Sequence, residues 1–135
     1  MILNQQRQVR VRVAGLGEFL EEACHAVKLP RESLTVCFVN TARMARWNRT
    51  YRKKRGATDV LSFPADSASE CYVGDLAICP VVARRNAKRF GRTLDGELRI
   101  LILHGILHLM GYDHETDSGQ MERRERRLRR ALGLG

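Results

Sequence analysis

Residues 94–114 read LDGELRILILHGILHLMGYDH, and the fold turns on how this stretch is understood. It opens with Asp95 and Glu97, acids in the position where a helix dipole favours negative charge. After Arg99 it is apolar at nearly every position up to Met110. A helix that is apolar all round belongs in the interior, so residues 94–110 are predicted as a central buried helix. Gly111 is its expected end, because glycine adopts left-handed φ without a Cβ penalty. Two histidines, His104 and His108, interrupt the apolar run.

The flanking segments read as follows. Residues 118–132 form a charged helix in which Glu122–Arg126 and Glu125–Arg129 have the supportive i,i+4 spacing. Pro80 opens a helix over 80–90 that Gly91 can close. Residues 72–79 and 59–63 read as strands, the second closed by Pro64, with a polar loop over 66–70 between them. Thr41 is expected to cap a helix over 41–51 in which arginine recurs every third residue. Residues 33–40 (SLTVCFVN), rich in β-branched and aromatic side chains, read as a strand. Leu16, Phe19, Leu20, Ala23, Cys24 and Val27 make a helical stripe over 16–29, stopped by Pro30. Residues 9–13 alternate apolar and basic, the period of a half-buried strand. The order βαβαββααα predicts an α+β (mixed α/β) fold: a single small sheet packed with helices, with the histidines on the central buried helix. No repeat or linker divides the chain, so residues 1–135 are read as one domain.

Composition narrows the function. The chain has 135 residues, is 44% hydrophobic and 29% charged, and can build a core without disulfides. The apolar run 100–110 is too short to span a bilayer. Residues 1–12 carry charge and lack an apolar signal region, which predicts a soluble, cytoplasmic protein with no membrane association. Cys24, Cys37, Cys71 and Cys79 form no C-x-x-C pair and are expected as reduced, mostly buried thiols. The net charge of +9 is unevenly spread. Residues 41–58, 80–94 and 121–130 carry +7, +5 and +4, leaving −7 for the remainder. Such segregation suits a polyanionic partner, since phosphate contacts release counterions. Of the 24 basic residues 20 are arginine, the side chain suited to bidentate phosphate recognition.

The chain has 4 histidines, and His104, His108 and His114 fall in the single string H-G-I-L-H-L-M-G-Y-D-H. On a helix, His104 and His108 project from one face about 40° apart. A reversal at Gly111 would bring His114 to the same point from a loop. Three imidazoles with an open fourth position are the arrangement of a catalytic zinc, although nickel, cobalt or copper would also accept them. Metzincin proteases share the spacing but carry a glutamate base directly after the first histidine. Here that position is Gly105, which cannot abstract a proton, so peptide hydrolysis by that route is disfavoured.

The histidine string, preceded by N-R-T-Y-R at 48–52, T-D-V-L-S-F-P at 58–64 and G-D-L-A-I-C at 74–79, resembles the YbeY endoribonuclease family. The resemblance implies a zinc-dependent endoribonuclease that prefers single-stranded RNA. It implies action in small-subunit ribosomal RNA 3′-end maturation and in ribosome quality control. By the family pattern His104, His108 and His114 ligate one Zn2+, Arg52 is the functional arginine, and Asp75 matches an acidic position associated with a small-subunit ribosomal protein. An Era-type GTPase is a further implied partner. Lys53, Lys54 and Arg55 make the loop after Arg52 unusually basic.

Chemically, zinc could lower the pKa of its water toward neutrality for attack on a phosphodiester, or it could activate the RNA's own 2′-hydroxyl. Arg52 could hold the phosphate and stabilise charge developing on its oxygens. No general acid is evident. Asp113 and Glu115 flank His114 and could orient a ligand or move protons, and Asp113 could equally cap the turn after Gly111. Tyr112 and Met110 are expected to pack, and His25 to be structural. The alternative to a hydrolase is a ribosome-assembly factor in which zinc secures the fold and the basic face binds RNA with little catalysis.

Overall fold

The structure, a computed structural model, describes residues 1–65, 72–113 and 116–134. In chain order the elements are β1 (Ile2–Asn4), α1 (Val13–Ala26), β2 (Leu34–Phe38), α2 (Thr41–Arg52), β3 (Val60–Pro64), β4 (Gly74–Ile78), α3 (Pro80–Arg89), α4 (Leu94–Leu109) and α5 (Gln120–Ala131). This is the α+β fold expected, with one four-stranded sheet ordered β1-β2-β4-β3. The first three strands of that order run parallel, and β3 lies antiparallel at the edge.

Strand periodicity divides the side chains between two faces. Leu34, Val36 and Phe38 of β2 and Leu76 and Ile78 of β4 point to one face, where they join Leu16 and Phe19 of α1 and Leu98, Ile102, Leu103, Ile106 and Leu107 of α4 in the main core. Helix α4 touches α1, α3, α5, β3 and β4, which makes it the central buried helix foreseen. The opposite face is covered only in part. There Met44 of α2 packs with Val39, Leu61, Ala77 and Cys79 in a smaller cluster.

Close approach of α4 to the sheet depends on Gly105. A Cβ built there would stand 2.6 and 2.7 Å from the two methyls of Leu76, which is fully buried. The N-terminus of α4 is capped by Thr93, whose Oγ1 accepts from the Gly96 N–H at 3.0 Å. Glu97, 4% exposed, is held by Arg92 at 2.9 Å.

The N-terminal region departs from the sequence reading. Residues 9–13 are not a strand, and the first strand is instead Ile2–Asn4, paired with β2. The cause is Gln6. Its buried side chain donates to the Val9 carbonyl at 2.8 Å and accepts from the Gln8 and Val9 N–H groups at 3.0 Å, clamping a turn where a strand would extend. Helix α1 starts and ends three residues before the expected bounds. Its end is set by Lys28 at φ 63, after which the Leu29 N–H returns to the Cys24 carbonyl at 2.8 Å. The α2 cap is Asn40 rather than Thr41, with the Asn40 Oδ1 accepting from the Arg43 N–H at 2.8 Å. Thr41 instead hydrogen-bonds the Gln8 side chain. Cys24, Cys37 and Cys79 are free thiols, two of them buried, while Cys71 and the loop expected over 66–70 lie outside the described residues. Among the described residues no helix is long and apolar enough to cross a membrane.

Candidate active site

From residue 97 to 107 every side chain of α4 is buried except Arg99 and His104. One turn further on, His108 shares the open face. The two Nε2 atoms are 3.1 Å apart and the ring centroids 4.7 Å apart. Two nitrogens bound to one tetrahedral zinc would be about 3.3 Å apart, from Zn–N bonds near 2.0–2.1 Å. The spacing therefore fits a shared ion.

The orientation of His104 is set from α5. Its Nδ1 lies 2.8 Å from Glu125 Oε1, and Glu125 Oε2 in turn pairs with Arg129 at 3.1 Å. A carboxylate only accepts, so Nδ1 carries the proton and Nε2 presents its lone pair to the cleft. Metal-bound histidines recur with such a carboxylate behind them. Sequence reasoning saw Glu125 only as a helix-surface partner of Arg129, because its contact with His104 spans 21 residues and no local signal marks it.

The chain reverses where expected. Gly111 has φ 97, its N–H bonds the His108 carbonyl at 3.0 Å, and the Tyr112 N–H returns to the Leu107 carbonyl at 3.0 Å. Tyr112 packs half-buried against the core, as does Met110, while the Asp113 carbonyl accepts from Thr116 and Asp117 in the next turn. His114 and Glu115 lie outside the described residues. Among the described residues no group of three or more His, Cys, Asp or Glu side chains is placed to hold a metal.

The histidine pair opens into a cleft of about 710 Å3 bounded by Tyr51 and Arg52 at the end of α2, Asp59 and the β3 strand, and Tyr112 and Asp113. Arg52 thus faces the same space as His104 and His108 although it is 52 positions from the nearer one. Its location is held by the turn that follows: Lys53 is left-handed at φ 55, and buried Asn48 donates to the Gly56 carbonyl at 2.9 Å. Asp59 is a structural anchor, accepting from the Val60 N–H at 2.8 Å and from Asn86 of α3 at 3.2 Å.

Asp75 is not part of this cleft. It is exposed on the opposite sheet face, where the Tyr72 hydroxyl donates to it. Burial, and then this bond to Asp75, push the Tyr72 phenol above its ordinary pKa.

The family model described as Endoribonuclease YbeY matches residues 1–133. A protein of Koribacter versatilis called Endoribonuclease YbeY is 43% identical over 134 residues, covering 99% of this chain and 86% of its own. The protein of that name from Aquifex aeolicus is 37% identical, covering 94% of this chain and 85% of its own. Among solved structures, the solution structure of TM1509 from Thermotoga maritima superposes with a TM-score of 0.64 at 28% identity, covering 98% of this chain and 89% of that one.

Proposed function

Because this chain belongs to the endoribonuclease YbeY family, we propose that it cuts phosphodiester bonds in single-stranded RNA during maturation of the 3′ end of small-subunit ribosomal RNA. A role in ribosome quality control and a cytoplasmic location go with that activity. The observation that carries this reading is the placement of Arg52 and the His104–His108 pair around one cleft.

His104 and His108, joined by His114 from the following loop, would hold one zinc ion through imidazole nitrogens. The 3.1 Å Nε2 spacing and the carboxylate behind His104 support that donor set. Bound there, zinc supplies Lewis acidity toward a phosphate oxygen and lowers the pKa of water. Glu125 keeps the proton of His104 on Nδ1 and so keeps Nε2 available as a ligand. Arg52 binds the scissile phosphate from the α2 side and stabilises the charge that builds on its oxygens, with its planar fork suited to two oxygens at once. Asp75, on the other face, is the position through which a small-subunit ribosomal protein would dock, and an Era-type GTPase is a further partner.

The test is cleavage of a labelled single-stranded RNA by wild type, His108→Ala and Arg52→Ala purified in parallel. Wild-type cutting that stops with chelator and in His108→Ala, and falls by about 100-fold or more in Arg52→Ala, is the expected result. Equal activity in all three proteins would identify a contaminant. Zinc bound to a wild type that cuts nothing, alone or on small ribosomal subunits, would favour an assembly factor that binds RNA without cutting it.

A further inference from the structure

Helix α2 covers only part of the second sheet face, and the uncovered part is a groove lined by Trp47, Tyr51, Phe63, Cys37, Leu3 and Asp75. Three of these residues form an aromatic chain. Trp47 and Phe63 meet edge to face at 5.9 Å, and Tyr51 meets Phe63 edge to face at 5.1 Å. Arg43, one turn before Trp47, lies over its ring at 5.8 Å. Tyr51 is 64% exposed, so its ring is open to a ligand while it also meets Phe63.

Tyr51 and Phe63 also line the cleft that holds the histidines and Arg52. The groove and the cleft therefore adjoin at these two residues, beside the edge strand β3. The helix and loop bordering it, residues 41–58, carry seven basic side chains and no acid. Aromatic rings from α2 and β3, bordered by arginine and adjoining the cleft of Arg52 and the histidines, are the two components that single-stranded nucleic acid requires: faces for bases and cations for the backbone.

We propose that the Tyr51–Phe63–Trp47 chain is a base-stacking platform for unpaired nucleotides flanking the scissile phosphate. This rests on the ribonuclease reading above and names the part of the substrate read outside the cleft. Asp75 is the β4 partner of Phe63 in the sheet, so its carboxylate, which accepts from the Tyr72 hydroxyl, borders the platform on the β4 side and repels phosphate there. The backbone of the bound strand therefore runs on the α2 side of the rings, along the basic residues 41–58.

Trp47 is the single tryptophan of the chain, so its emission reports on this groove alone. The experiment titrates a short oligouridylate into His108→Ala protein, following anisotropy of the labelled RNA and Trp47 emission together. It then repeats the titration in Tyr51→Ala and Tyr51→Phe on the same background. The expected result is quenching of Trp47 that tracks binding, affinity about tenfold or more weaker in Tyr51→Ala, and affinity retained in Tyr51→Phe. Binding by anisotropy with Trp47 unchanged and Tyr51→Ala equal to its parent would overturn the platform and leave the groove to a protein partner. Such a result alongside RNA cutting by the wild type would leave the ribonuclease reading intact. Quenching by RNA in a protein that cuts nothing would do the reverse.

Discussion

Gly105→Ala isolates the contact that seats the histidine helix. Two effects of opposite sign compete. In an unobstructed helix, alanine in place of glycine stabilises by about 1 kcal/mol. Here the added methyl would sit 2.6 and 2.7 Å from the Leu76 methyls and 3.2 Å from its Cγ, and Leu76 is 0% exposed with the core around it. Overpacking of that kind costs about 1–3 kcal/mol, so the net expectation is a loss of about 1 kcal/mol. For a chain of this length that lowers Tm by roughly 3–4 °C. Leu76→Ala alone should cost about 2–5 kcal/mol through its cavity. Combined with Gly105→Ala, the new methyl enters the vacated space, and the double variant should be more stable than the sum by about 1–2 kcal/mol. Urea unfolding of the four proteins measures the cycle. A Gly105→Ala protein that is stabilised by about 1 kcal/mol, with additive energies, would refute the close approach of α4 to β4.

Glu125→Gln should preserve the helical signal while weakening zinc affinity by about 10- to 100-fold, measured by competition with a chelator; an unchanged affinity would remove Glu125 from the site. Tyr72 should titrate above the ordinary tyrosine range, because burial and its bond to Asp75 both hold the proton. Its folded pKa is raised, so its contribution to stability is complete below the unfolded tyrosine pKa and is lost as pH rises through the folded value. The ultraviolet titration of tyrosinate should lose its late phase in Tyr72→Phe and move toward the ordinary range in Asp75→Asn; a Tyr72→Phe protein with the wild-type curve would contradict the assignment.

Most of the architecture was legible because it is encoded locally. Apart from His104 the run from Ile100 to Leu107 has no polar side chain to offer solvent, so its burial follows from composition, and Gly111 marks the end of the helix through a backbone preference that few other residues share. What escaped depends on contacts distant in sequence. Ile2–Asn4 is too short to show a period and is a strand only because β2 lies beside it. The alternation over 9–13 suits a strand, but the Gln6 side chain satisfies the local backbone first. Asn40 and Thr41 are adjacent residues that can both cap a helix, and the choice falls to Asn40 because Gln8 occupies Thr41. In the site, the histidine pair is visible from its i,i+4 spacing, whereas Glu125 comes from a helix in which its i,i+4 spacing to Arg129 already explains it as a surface pair.

The glycine between the histidines shows how packing constrains chemistry. Along α4 consecutive side chains are about 100° apart, so when His104 and His108 face the cleft, position 105 faces β4. A glutamate there would have to enter the space occupied by Leu76. A carboxylate base at this position is thus incompatible with how tightly the helix sits on Leu76. Glu125, 2.8 Å from His104, is engaged with its Nδ1 and with Arg129 on the far side of the ring. The same cleft is bounded by Arg52, on a helix and loop rich in positive charge, and by Asp59, whose carboxylate is occupied by the Val60 N–H and Asn86. With Arg52 in the cleft and seven basic side chains over residues 41–58 beside it, the local field favours an anionic substrate over a neutral peptide, as a phosphodiester requires.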